Sequence, residues 1–189
     1  TAAAGALGFP LIGGAQPASI TLGVLHPVTG PLSYSGQLCR LGAKLAIDEI
    51  NAAGGIKALG GARFDPLYAD APNPQAGTSE VERMNEQSAA AIIGAYASAI
   101  CLATTQAAAK YNLPHVVDVG VADQIVERGL KNVFRFGPGY RKTTEDAVKY
   151  LHTLNALAGK PAKTVMIIHE ESLFGSGTAQ LLARELPGY

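Results

Sequence analysis

Residues 20–55 read ITLGVLHPVTGPLSYSGQLCRLGAKLAIDEINAAGG, and the order of their parts decides the fold class. Ile20-Thr21-Leu22-Gly23-Val24-Leu25 is a short apolar run of the length of a buried strand. Thr29-Gly30-Pro31 and Ser33-Tyr34-Ser35-Gly36 then make a polar turn. From Ser35 to Ala53 the pattern becomes helical, with Leu38, Leu41, Leu45, Ala46 and Ile50 on one face. Gly54-Gly55 stops the helix, because glycine accepts the left-handed conformation a helix end needs.

Outward from there the same alternation repeats. Strands are expected at Phe64–Ala69, Ala91–Ile93, His115–Val117, Val133–Phe136 and Thr164–Ile168. Helices are expected from Asn73-Pro74 to about Ser88, from Ser98 to about Tyr111, across Thr143–Leu157 and across Gly175–Leu186. Asn73 before Pro74 is a capping side chain followed by a first-turn proline. Asp123 is read as the cap of a short helix that Gly129 ends. Such regular alternation predicts an α/β fold, a parallel sheet sandwiched by helices. The strand at Thr164–Ile168 has no following strand to pair with. The division expected is therefore one lobe at residues 19–140, then a connection and the first strand and helix of a second, incomplete lobe at 141–189.

Composition removes several classes of function. Fifteen basic residues balance fifteen acidic ones and neither sign is clustered, so there is no electrostatic case for nucleic acid or an acidic membrane surface. Cys39 and Cys101 are far apart in sequence and fit no metal-ligand spacing; each is read as a buried small side chain. Thr1–Gly14 is uncharged and runs into Ala15-Gln16-Pro17-Ala18. This resembles the apolar core and small-residue cleavage region of a secretory signal without its basic start.

In open α/β sheets, ligands bind beyond the carboxyl ends of the strands. The loops His26–Gly36, Gly94–Ser98, Asp118–Ala122 and His169–Phe174 occupy that edge. Gly94-Ala95-Tyr96-Ala97-Ser98 leads into a helix. Two roles fit Ser98: capping its own helix, or holding a carboxylate together with the helix N-terminus. Phe174 is either a cover over a ligand or a core residue. No GxxxxGK[ST], HExxH or GxSxG pattern occurs, and Gly175-x-Gly177 is only a fragment of a dinucleotide fingerprint, with Gln180 where its third glycine belongs. An enzyme is therefore disfavoured.

Taken together, several pieces resemble the type I solute-binding proteins of the leucine/isoleucine/valine-binding kind, which feed bacterial ABC transporters. Thr29-Gly30-Pro31 is similar to that family's first turn. Ala46-Ile47-Asp48-Glu49-Ile50-Asn51-Ala52-Ala53-Gly54-Gly55-Ile56 resembles its first helix end and is the most specific match. Asp70 with Asn73-Pro74, Ile93-Gly94 with Ser98, Val133-Phe134-Arg135, and His169-Glu170 to Phe174-Gly175-Ser176-Gly177 are similar to later steps. The resemblance implies two α/β lobes that close over a small solute, an ABC permease as partner, a periplasmic location, and no cofactor. It places Tyr96, Ala97 and Ser98 at a ligand carboxylate and Val119, Gly120 and Val121 beside it. Ser35 falls where amino-acid binders often carry a tyrosine, and Phe174 where an aromatic side chain covers the ligand. Val121 departs from the pattern, since amino-acid binders usually have a hydroxyl there. A branched-chain amino acid is thus one candidate among small acids, aromatic acids and amides. A ligand-sensing module of a receptor or regulator on the same fold is the alternative.

Overall fold

The structure is a computed structural model and describes residues 19–159 and 162–188. The secretory-signal reading of residues 1–18 lies outside the described residues. Five parallel strands form one sheet: β1 (Ser19–His26), β2 (Arg63–Asp70), β3 (Ala91–Gly94), β4 (His115–Val117) and β5 (Val133–Arg135), in the order β2-β1-β3-β4-β5. The helices are α1 (Ser33–Ala52), α2 (Pro74–Glu86), α3 (Ser98–Lys110), α4 (Gln124–Glu127), α5 (Tyr140–Leu157) and α6 (Leu173–Glu185). The order reverses between β1 and β3, which opens a crevice at the carboxyl edge.

Strand alternation divides the apolar side chains between two faces. Leu25, Ala69, Ile92 and Val117 turn toward α2 and α3, where Val81, Met84, Ile100, Cys101 and Ala108 complete the main core. Leu25, Met84, Ile92 and Ile125 are fully buried, each contributing about 1.5–3 kcal/mol by removal from water. Leu22 and Val24 turn the other way and meet Ile47 of α1.

Cover on this second face is uneven. Val24 pairs in register with Ile93, Ile93 with Val116, and Val116 with Phe134, a single row across the sheet. Helix α1 lies over β1 and β2. At the far end of the row Val116 and Phe134 are 36% and 55% exposed, so half of this face stands open. The Leu38, Leu41, Leu45 face of α1 is exposed as well; the helix instead buries Gly36 and Ile47. Periodicity located an apolar stripe, but the fit against Pro27 selected the opposite side. A methyl on Gly36 would come within 1.7 Å of the Pro27 carbonyl oxygen, so only glycine lets α1 approach there.

Two side chains fix this first unit. Asn51 donates to the Phe64 carbonyl and accepts from the Phe64 N–H, both at 2.8 Å, pinning the end of α1 to β2. Asp70 accepts from the Val28 N–H at 2.7 Å and from the Thr29 hydroxyl, holding the first turn. The strand expected at Thr164–Ile168 does not form; the segment has no regular secondary structure and no ladder partner, and Val165, Met166 and Ile168 are exposed. A strand needs a neighbour to satisfy its backbone. Cys39 and Cys101 are both free thiols, Cys101 buried and Cys39 half-buried.

His115 is fully buried and its Nε2 lies 2.9 Å from the Gly94 carbonyl oxygen. Burial lowers its pKa from the ordinary 6.5 to about 4, so the ring is neutral and Nε2–H donates. The unfolded chain takes up this proton at higher pH than the folded one. Stability from His115 is complete above pH 6.5 and is lost as the pH falls toward 4, by on the order of 3 kcal/mol. In urea titrations between pH 7 and 4, His115→Gln, which keeps a nitrogen donor, is expected to show a shallower loss of stability than the parent.

Candidate binding cleft

The cleft begins where β3 ends. Gly94 has φ +128°, and a side-chain Cβ would come within 1.9 Å of the Leu25 carbonyl oxygen, so the chain turns tightly at a position only glycine fills. His115 holds the Gly94 carbonyl, and the Cys101 thiol donates to the Ala95 carbonyl at 2.8 Å. Burial pushes that thiol up to about 12, which keeps it protonated and unreactive. Helix α3 then starts at Ser98, with Ala97 as its N-cap and no side-chain acceptor on its first N–H groups. Those donors are left open at the cleft.

Ser98 does not cap its own helix. It is buried, and its Oγ accepts from the N–H groups of Val121 at 3.3 Å and Ala122 at 3.2 Å. The hydroxyl hydrogen remains available to donate. The second loop is thereby locked to the first, and Gly120 sits so close to α3 that a Cβ would lie 2.4 Å from Cys101 Sγ. Arg135 holds the same loop from the other side, donating from Nη1 to the carbonyls of Val121 at 3.2 Å and Ala122 at 2.9 Å. The Tyr140 N–H donates to the Val121 carbonyl at 2.8 Å.

The third wall comes from the start of α6. Ser172 caps it by accepting the Gly175 N–H at 3.1 Å, and the Ser172 hydroxyl donates to the Glu170 carboxylate at 2.5 Å. Together the three segments enclose a cavity of about 440 Å³. Tyr96, Ala97, Ser98, Val119, Gly120, Val121 and Phe174 all line it, joined by Leu32, Glu170 and Ser172 among others. Ser35 is not among the lining residues; it lies in the first turn of α1, and Leu32 just before the helix reaches the cavity instead. Phe174 is 47% exposed, a rim residue rather than a core one.

Electrostatically the N-termini of α3 and α6 both meet this cavity. Aligned peptide dipoles and free N–H groups make such ends favourable to an anion. Glu170 supplies the opposite sign at the rim. Another hollow, of about 410 Å³, lies among α4, α5 and α6, but its cations are spoken for: Arg141 pairs with Glu127 at 3.1 Å and Arg184 with Glu185 at 2.9 Å. Among the described residues no group of three or more His, Cys, Asp and Glu is placed to hold a metal ion.

Sequence reasoning missed the supports. Arg135 was visible only as part of a Phe-Arg pair, and nothing in one sequence says that its guanidinium reaches back to residues 121 and 122. Asp123 was read as a helix cap. Its carboxylate instead accepts the Arg141 N–H at 3.1 Å and lies 3.6 Å from Arg135, tying the start of α5 to β5. A capping role fails because Asp123 itself has helical dihedrals, which point its side chain away from the helix N–H groups.

Comparison with known proteins agrees with this architecture. Residues 19–187 match the family model described as periplasmic binding protein. A Leu/Ile/Val-binding protein homolog 7 of Brucella melitensis is 32% identical over 176 residues, covering 90% of this chain and 43% of that protein. A Leu/Ile/Val-binding protein homolog 8 of Brucella abortus is 33% identical over 168 residues, covering 86% and 40%. This chain thus spans less than half the length of these relatives. A leucine-binding protein from Thermotoga maritima superimposes with TM-score 0.77 at 19% identity, over 89% of this chain and 46% of that one. A solute-binding protein of an ABC transporter from R. palustris, solved with 4-hydroxybenzoate, gives 0.75 at 20% identity, over 90% and 44%. These likenesses carry the fold, and the matched family is one of binding proteins rather than enzymes. On the family match across residues 19–187, the chain belongs to the periplasmic binding protein family.

Proposed function

We propose that this chain is the solute-gripping portion of an ABC importer's binding protein and that its ligand is a small carboxylate. One observation carries the reading: two helix N-termini, with open N–H groups at α3 and a donor hydroxyl on Ser98, meet a single cavity sized for a small molecule. The carboxylate sits at Ser98 and Ala99, with the backbone of Tyr96 and Ala97 beside it. Val119, Gly120 and Val121 form the adjoining wall. Phe174 covers the apolar part of the ligand from the α6 side. Glu170, on the same side, is placed to accept from a donor at the ligand's other end.

The relatives support both candidate classes. Their names include leucine/isoleucine/valine binding, and neighbours in fold were solved with leucine and with 4-hydroxybenzoate. Val121 favours the aromatic or simple acid. Its side chain offers no hydroxyl, and its N–H is already given to Ser98. An α-amino acid therefore finds fewer acceptors and donors at this wall than an acid needing only its carboxylate held.

Residues 19–140 make up the first lobe in this reading, and residues 141–189 the connection and the start of a second. The bare row Val116–Phe134 and the exposed 164–168 segment are where further chain packs. Closure of the lobes is driven by a ligand that touches both, since only differential affinity shifts such an equilibrium. The mature protein works outside the cytoplasmic membrane and hands its solute to a permease. No chemistry is done on the ligand.

Thermal-shift assays of the full-length protein test the reading. Leucine, isoleucine, 4-hydroxybenzoate and 3,4-dihydroxybenzoate are the first ligands to screen. A ligand at about 100 times its Kd adds roughly 2.7 kcal/mol, a rise of several degrees. No shift from any small carboxylate contradicts the proposal. Ser98→Ala is expected to cost about 1–3 kcal/mol of stability by orphaning two N–H groups, and to weaken binding at least about tenfold. Phe174→Ala is expected to weaken binding with little change in the melting temperature of the ligand-free protein. Calorimetric titration of both variants reads the two effects separately.

A further inference from the structure

The Gly175-x-Gly177 pair, which fits no dinucleotide fingerprint, sits where α6 leaves the cleft. Gly175 lies against Glu170: a side-chain Cβ there would come within 2.3 Å of the Glu170 carbonyl oxygen. Gly177 lies against the Tyr140 ring, where a Cβ would meet ring carbons at 2.8 and 3.0 Å. The ring has little room to give. Tyr140 is 7% exposed and belongs to the main core. Its hydroxyl donates to the Gln124 side-chain oxygen at 2.7 Å, and its N–H donates to the Val121 carbonyl at 2.8 Å. Further along α6 close packing gives way. Gln180 and Arg184 face the hollow of about 410 Å³, which Gln124 and Glu127 line from the α4 side.

Tyr140 is therefore in touch with both sides of the cleft without lining it. Through Val121 and Gln124 it is tied to the wall that Ser98 locks. Through Gly177 it bears on the helix that carries Phe174. Phe174 precedes Gly177 by three residues, about 4.5 Å along the helix axis, so the two move together. We infer that Tyr140 is a positioning residue for ligand binding: its ring is the stop against which α6 seats, and it sets how far Phe174 stands from Ser98. Glycine at 177 fits this role. It is a poorer helix former than alanine, and close approach to the ring is what it gives in return. The inference rests on the cleft's reading as a carboxylate site and adds to it a side chain that meets no ligand.

Titration calorimetry of the full-length protein tests this. The probe is whichever of leucine, isoleucine, 4-hydroxybenzoate and 3,4-dihydroxybenzoate gives the largest thermal shift. Gly177→Ala is expected to weaken its binding on the order of tenfold, since the added methyl pushes α6 off its stop. The melting temperature of the ligand-free protein is expected to change little, because alanine favours the helix. Two double variants separate positioning from a general structural effect. With Tyr140→Leu, which removes the outer ring atoms, Gly177→Ala is expected to cost less than about twofold further. With Phe174→Ala, which removes the group being positioned, the further cost is again expected to be below about twofold. Gly177→Ala binding as the parent does overturns the inference and leaves the carboxylate reading standing. So does a full tenfold loss in either double variant. A parent that binds none of the four acids removes the carboxylate reading and this inference with it.

Discussion

The Ser98 hydroxyl accepts no N–H from its own helix and instead accepts two N–H groups from the neighbouring loop. On that one oxygen the geometry of the cleft depends. Residues 94–98 and 119–122 end two adjacent strands, and each is irregular backbone lying against the other. Irregular backbone that is buried must find partners for its polar groups. Ser98 meets the N–H side of this demand and Arg135 the carbonyl side. Once both are met, the loops are fixed without using the first donors of α3. Those donors are what remain for a guest, which is why a rigid edge and an open one coexist in the same few residues.

The division of labour between the sheet's two faces follows from chain order. Helices α2, α3 and α4 all contribute buried side chains to the main core on one face. On the other face, among the described residues, helix α1 lies against β1 and β2, where Ile47 meets Leu22 and Val24. Apolar side chains are exposed both on the half-covered face, at Val116 and Phe134, and in the segment 164–168, at Val165, Met166 and Ile168.

How much of this was legible in the sequence depended on whether the signal was local. Strand–helix alternation is local, and β1 through β5 and their helices fall where the apolar runs placed them. Asn73-Pro74 at the start of α2 carried its meaning in adjacent residues, and Asn73 indeed accepts the Ala76 N–H. The orientation of α1 was not legible. Its stripe of leucines reads as a core face, yet the core face is set by the glycine at 36, whose importance comes from Pro27 in space. Likewise the residues lining the cleft were readable as loops after strands, whereas Arg135, Asp123 and Tyr140, which hold those loops, act across long sequence separations. The reading of Ser98 fell between these cases. Its position at the helix start was found, but the partner of its hydroxyl was in another loop.

The central claim is that backbone amides at the start of α3 hold the acid group of a bound solute. The direct measurement is the ¹H–¹⁵N spectrum of the full-length protein, with and without the tightest-binding small acid from the thermal screen. The account predicts large downfield shifts of the Ser98 and Ala99 amide protons on saturation, with the amides of the outer face of α1 unmoved. Saturation that leaves Ser98 and Ala99 where they were contradicts it.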